Sequence, residues 1–235
     1  MKLNRSSFLL ILLALVSSQD TLAQINSGFY FGRVKSALKG DSRTDAFGLG
    51  FGHYDSYGMG VFLDIPIKND VQISFQPSYK IHRMYLTQEV PILTPFQNDS
   101  IEQIIWVKIA DFNLHHLSLP LFMKIVSDNM HWQFVAGIET NIPLKGVLNY
   151  VSGREEVLKG ELSNVSMAAV VGIGYRFKLF KNYFSVDVMY TQGLTNISTE
   201  KAIDPSYPTR IKLNSTELRL SWFLPLKKSE ILEDE

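Results

Sequence analysis

The chain has 235 residues, 46% hydrophobic, 12% aromatic and 20% charged, with 23 Lys and Arg against 23 Asp and Glu and no cysteine. Zero net charge excludes a general nucleic-acid binder, which needs a basic excess or stripe. Zero cysteine excludes a disulfide scaffold, thiolate metal sites, a Cys nucleophile and a lipidated N-terminal Cys, and beyond the first two dozen residues no apolar run reaches the roughly 18–20 residues of a spanning helix.

The elements follow in chain order. Lys2 and Arg5 precede an uninterrupted apolar run over residues 8–16 (FLLILLALV), and residues 17–23 (SSQDTLA) end with small side chains at Thr21 and Ala23. That order predicts a secretory signal peptide over 1–23, its apolar core too short to be an anchor. A single β-domain is expected over 24–226, then a charged tail over 227–235.

Period-2 alternation dominates the domain, and helical periodicity is nowhere convincing. Eight strands are predicted, over 27–38, 57–66, 71–85, 111–126, 131–145, 164–178, 183–193 and 211–224. Tight turns at 67–70 (IKND), 127–130 (SDNM) and 179–182 (LFKN) carry Asn or Asp, which tolerate left-handed backbone and hydrogen-bond locally. Between them lie long connections at 39–56, 87–110, 146–163 and 194–210. Strict alternation of short and long puts all turns at one end of an antiparallel meander and all loops at the other. Outer-membrane barrels have that asymmetry, and a soluble sandwich has no reason for it. Within the second long connection, residues 101–109 (IEQIIWVKI) are apolar and are expected to extend the flanking strands as a hairpin.

The first strand is the least clear, and its neighbour over 47–53 (FGLGFGH) either extends it or starts the second; every later strand has an apolar and a polar face. Residues 117, 119, 121, 123 and 125 (Leu, Leu, Leu, Met, Ile) stand against 116, 118, 120, 122 and 124 (His, Ser, Pro, Phe, Lys), for example. Three features point the apolar faces toward lipid. The polar faces are rich in Gly, Ala and Ser, which suits a crowded eight-stranded interior. The apolar faces carry aromatics near strand ends, as interfacial girdles do: Phe75, Trp132, Phe177, Phe184 and Trp222 toward the short turns, Tyr57 and Tyr190 toward the long loops. The polar-face charges balance, Asp64, Glu139, Asp187 and Glu217 against Lys80, Lys124, Arg176 and Arg219. Buried charges persist only when paired, so a closed lumen needs that balance.

Five segments in order resemble the PorT-like outer-membrane β-barrel family. Residues 57–70 (YGMGVFLDIPIKND) are similar to its second strand, and 114–125 (LHHLSLPLFMKI) to its L-x-x-L-x-x-P-L-L-x-K segment. Val135-Ala136-Gly137, 171–177 (VGIGYRF) and 188–197 (VMYTQGLTNI) resemble its later motifs. The sequence departs from the pattern at its end, where the aromatic pair Trp222-Phe223 precedes the charged tail instead of closing the chain. The resemblance implies an outer-membrane barrel and no shared activity, apart from members that assist protein secretion.

His116 and Ser118 lie two apart on one face and resemble the pair with which outer-membrane lipid A deacylases hydrolyse esters. Both are on the lumen-assigned face, and no acidic orienter accompanies them, so a hydrogen-bond network is the reading adopted. His115 and His116 point to opposite faces and cannot chelate together, and no metal site is expected. The glycines at 48, 50, 52, 58 and 60 lack the helix of a nucleotide fingerprint. The expectation is therefore an eight-stranded antiparallel up-and-down transmembrane barrel with a filled lumen, short periplasmic turns and long extracellular loops. It is expected to use no cofactor and catalyse no reaction. Its partners would be outer-membrane lipid, the outer-membrane assembly machinery and an envelope protein, with no nucleic acid, in a structural or partner-binding role that could assist secretion. The alternatives are a lipid-modifying enzyme using His116 and Ser118, and a soluble lipocalin-like barrel with its apolar faces turned inward.

Overall fold

The computed structural model describes residues 25–40, 49–68, 70–96, 99–127, 131–158, 160–180, 182–199 and 210–224, with the side chains of Leu49 and of 91–103 excepted. The predicted signal peptide and charged tail lie outside the described residues. Eleven strands are present among those described: β1 (Asn26–Lys39), β2 (Leu49–His53), β3 (Ser56–Pro66), β4 (Val71–Phe75), β5 (Ser78–Phe96), β6 (Asp99–Val126), β7 (Trp132–Tyr150), β8 (Glu155–Val157), β9 (Ser166–Leu179), β10 (Asn182–Gly193) and β11 (Lys212–Phe223).

All the pairings are antiparallel, and they close on themselves. β3 pairs with both β4 and β5, and the order then runs through β6, β7, β9, β10 and β11 to β1, which pairs back to β3. Counting β4 and β5 as two halves of one staves-like run, the ring has eight members. Ring closure is set by β1 against β11, with Gly28 opposite Phe223 and Lys39 opposite Lys212.

The difference from eight simple strands has three local causes. The expected strand over 71–85 is split because Pro77 has no N–H to give to a ladder. The chain steps there, Gln76 donating its N–H to Pro120 and Pro77 accepting from Val61. β2 and β8 are short additions beyond the ring, laid on β5 and β7. The described residues of the connection over 87–110 are strand, as its apolar run suggested: β5 and β6 pair as far as Phe96 opposite Asp99. The other boundaries shift by at most a few residues, except β7, which runs on to Tyr150.

The three turns over 66–71, 126–132 and 179–182 lie at one end, with Asn26 of β1 opposite Asp64 beside the first. The strand ends that flank the four longer connections lie at the other. Alternation decides which face is inside. Lys80 is 2% exposed and Glu217 1%, whereas Leu218, next to Glu217, is 54% and Met59 58%. The exterior is thus a band of Val, Ile, Leu, Met and aromatic side chains, interrupted on β1 by the outward Arg33, paired with Asp55, and Lys35, and the eight charges singled out from the sequence are interior. A soluble ligand-binding barrel would have these faces reversed. Such an exterior is stable only against an apolar medium. The size of the interior is tuned by glycine at points of close approach: a Cβ on Gly32 would collide with the Glu217 carboxylate, and one on Gly174 with that of Asp187.

Candidate functional site: the lumen and its loop-end cup

All eight charged residues singled out from the sequence are buried inside the ring, and the structure groups them at two heights. Toward the turn end, Lys124 reaches both oxygens of Asp64 at 2.9 Å, and Asp64 also accepts from Ser74. Beside this pair Asp187 accepts from Gln133, from Ser185 at 2.9 Å and from Ser221 at 3.4 Å. Arg176 donates to the Gln133 carbonyl oxygen at 3.4 Å and lies 4.4 Å over the Phe223 ring. Its link to Asp187 therefore passes through the Gln133 amide. Higher up, Lys80 Nζ is 2.9 Å from Glu139 and 3.3 Å from Glu217. Arg219 meets Glu217 with two parallel hydrogen bonds of 3.1 and 3.0 Å, donates to Gln76 and sits 4.0 Å over the Tyr30 ring.

Strand geometry explains the grouping. Glu217 and Arg219 are two apart on β11 and so share a face. Lys80 and Glu139 come from β5 and β7, on either side of β6. Between the two heights lies an apolar layer of Phe122, Val135, Val170 and Met189, and near the turns the Phe62 and Phe223 rings meet edge-on at 4.9 Å. Buried charges are tolerated when paired and hydrogen-bonded, and these satisfy one another across strands.

Above the ion pairs, the His82 and His116 rings stack with centroids 4.5 Å apart, Nε2 to Nε2 at 3.4 Å, and His82 Nδ1 is hydrogen-bonded to Ser36. His116 is thus engaged with His82, and the buried Ser118 hydroxyl has no hydrogen-bond partner. The geometry pairs His with His, not His with Ser. Among the described residues no group of three His, Cys, Asp or Glu could hold a metal ion.

The aromatic residues named from the sequence fall on the outer wall. Trp222 stands opposite Phe29 and Phe184, Trp132 meets Tyr175 edge-on at 5.1 Å, and Phe177 and Phe184, both half-buried, stack at 6.0 Å. Phe75 sits at the end of β4 farther from the turn, opposite Leu63 and Leu121. Tyr57 stacks on Phe31 at 5.8 Å and stands opposite Arg33 and Ile81, while Tyr190 lies opposite Val171 and Thr216.

The lumen is not filled along its whole length. Above the histidines the inward side chains become apolar, with Met84, Phe112, Leu114 and Leu213 buried together with Ile197. A partly open cup of about 290 Å³ remains there, at the loop end. Its wall is completed by two connections folded inward and tied together. Leu158 N–H donates to Gly146, Ser163 to Ile197, Ile197 to Ile211 and Thr199 to Glu161, at 2.7–2.9 Å. These bonds hold Leu158, Leu162 and Ile197 against the mouth of the ring. The sequence reading missed this apolar group. Its signal was the same even-numbered parity that marks His116 and Lys80, carried on through Met84, Phe112 and Leu114.

The cup's polar groups cluster on one side. Tyr150 donates to Glu156 at 3.1 Å, Arg154 lies 3.6 Å from the same carboxylate, and Glu161 Oε2 is buried without a hydrogen-bond partner. Burial and the nearby Glu156 push the Glu161 carboxyl above its usual range.

No curated protein matches the sequence. Among solved structures it is similar to Ail, the attachment invasion locus protein of Yersinia pestis, at 13% identity over 85% of this chain and 98% of that one, with a TM-score of 0.41. It is similar to Neisserial surface protein A at 11% identity over 86% and 97%, TM-score 0.44. It is also similar to the outer membrane protein AlkL at 13% identity over 86% and 90%, TM-score 0.41. The model of the family described as "Outer membrane protein beta-barrel domain" matches residues 17–199. With a closed eight-membered ring, an apolar exterior and that match over more than half its length, the chain belongs to the outer membrane protein beta-barrel domain family and to the outer membrane.

Proposed function

We propose that the protein is an exported, up-and-down barrel that spans the outer membrane without forming a pore, and that it acts without catalysis through its loop end. Residues 1–23 direct export, the short turns face the periplasm and the long connections face outward. The observation that carries the reading is the ion-paired plug. Lys80, Glu139, Glu217 and Arg219 meet at the middle of the lumen within 3.3 Å of their partners, beneath the stacked histidines. Eight strands leave an interior only wide enough for side chains to fill, and these charges neutralise one another, so they offer no fixed field for a permeating ion.

The finer reading is membership of the PorT-like group, with a structural or partner-binding role accessory to protein secretion. Outer-membrane lipid would cover the apolar band and the assembly machinery would insert it, leaving an envelope protein to be recognised by the loops. Purified protein refolded into a planar bilayer should give no stable porin-like conductance, while migrating faster unboiled than boiled in SDS. Large steady single-channel currents from the heat-modifiable form would overturn the plugged reading.

A further inference from the structure

We infer that the loop-end cup is a binding site for one small apolar molecule whose polar end donates a hydrogen bond, an alcohol or an amine, with its body against Met84, Phe112, Leu148 and Leu158 and its head at Glu161. The inference rests on the loop-side reading above and gives it a ligand class. Four observations converge on it. First, the volume of about 290 Å³ is roughly twice the ~150 Å³ of an apolar cavity that takes up benzene and near the lower limit of ligand pockets. A molecule of about ten to fifteen heavy atoms fits that space.

Second, most of the lining is aliphatic or aromatic, the rest being Arg154, Glu156, Glu161, Ser198 and Thr199. Water held in such a site needs two to four polar partners, and the part of the cup formed by Met84, Phe112, Leu148, Leu158 and Ile197 supplies none, so an apolar body is favoured there. Third, the cup is constructed. Two connections are hydrogen-bonded to each other, with Leu162 bridged to Ser198 and Thr199 Oγ1 donating to the carbonyls of Gly160 and Glu161 at 3.0 and 3.1 Å. They turn apolar side chains toward the ring mouth instead of toward solvent. Fourth, one polar atom is left over. Tyr150 and Arg154 are directed at Glu156, whereas Glu161 Oε2 has no donor. An acceptor without a donor is costly, and Glu161 lines the cup and is itself only partly buried, so its carboxylate can turn to a ligand hydroxyl or ammonium. The floor is sealed by the His82–His116 pair and the ion pairs below, so the ligand enters and leaves from the loop side.

The test uses the full-length protein refolded into lipid nanodiscs, its folding checked by heat-modifiable mobility. The probes are 1-aminoanthracene, a fluorescent aromatic amine, and anthracene, the same body without the head. Saturable one-to-one emission above the signal from empty nanodiscs is expected for both. Leu158→Trp, which fills the cup, should weaken both at least about tenfold. Glu161→Leu should weaken 1-aminoanthracene about tenfold, the usual worth of one hydrogen bond to a charged group, and leave anthracene unchanged. 1-Decanol should displace both probes. Absence of a saturable component in the folded wild type, or equal binding by Leu158→Trp, would overturn the site. Equal loss of both probes in Glu161→Leu would overturn the assignment of the head. A binding failure in barrels that stay non-conducting rejects the cup alone, and conductance separately rejects the plugged reading.

Discussion

Glu217 stands between two cations, 3.3 Å from Lys80 and bidentate to Arg219, and is 1% exposed. Glu217→Ala would leave buried positive charge short of a partner, a change that costs about 3–5 kcal/mol in other buried pairs. Urea unfolding in lipid vesicles should therefore show a large loss of stability. Glu217→Gln, which keeps both acceptor and size, should lose less. At this scale the interior charges were legible in the sequence, because parity along a strand fixes the face and a balanced set of charges implies mutual neutralisation. What parity does not specify is the partner. Arg176 and Asp187 are interior, yet a neutral residue, Gln133, links them, and no spacing rule names it. The His116–Ser118 juxtaposition shows the same limit. Sharing a face does not make a hydrogen bond, and His116 instead meets His82, thirty-four positions earlier and on another strand.

At the scale of the element, each ring strand is a two-sided ribbon whose outer face was readable on every strand but β1, which turns Arg33 and Lys35 outward and Tyr30 and Val34 inward. Leu218 sits midway along β11 with Glu217 and Arg219 turned the other way. Leu220→Arg, on the same face between Phe31 and Val186, should cost about 2–4 kcal/mol if that face meets the bilayer midplane, whereas the same change in a soluble barrel's outer face would be nearly neutral. Unfolding titrations in vesicles distinguish the two. The β5–β6 hairpin is a different kind of element. Beyond Gln88 opposite Val107 it continues as a two-stranded ribbon, with Ile104 and Trp106 more than half exposed. Replacing residues 89–106 with Asn-Gly, a favoured hairpin turn, should leave a heat-modifiable barrel of unchanged thermal stability. Loss of the mobility shift would show that the ribbon is needed for folding. The break between β4 and β5 was written at Pro77, which the alternation on either side masked. β2 falls within the 47–53 run expected as strand, though as an extension of β5's edge and not of the first or second strand, whereas β8, three residues long, carries too few residues for periodicity to reveal.

The whole molecule separates into three zones along its axis: a turn end with Asp64–Lys124 and the Gln133 relay, a charged waist, and an apolar cup. The two lower zones follow from local alternation. The cup depends on residues far apart in sequence, Leu38 on β1, Leu158 after β8 and Ile211 before β11, brought together only when the ring closes and the two connections are knitted over it. Sequence patterns read neighbours well, and a cavity is a property of distant residues failing to meet. That is why the expectation of a lumen filled from end to end does not hold at the mouth.

Pairing β1 with β11 also fixes the order of events in assembly. The contact between Gly28 and Phe223 joins the two extremes of the described chain, so closure is the longest-range step and waits for nearly all of the sequence to be present. Until then two strand edges stay open, which is the state most prone to wrong pairing. The last strand arrives with Glu217 and Arg219 already able to neutralise each other, two residues apart on one face. It can therefore enter the low-dielectric interior as a neutral unit, and its carboxylate then also meets Lys80. The strand that seals the barrel brings its own counter-ion, so its inward face can be buried without an unpaired charge.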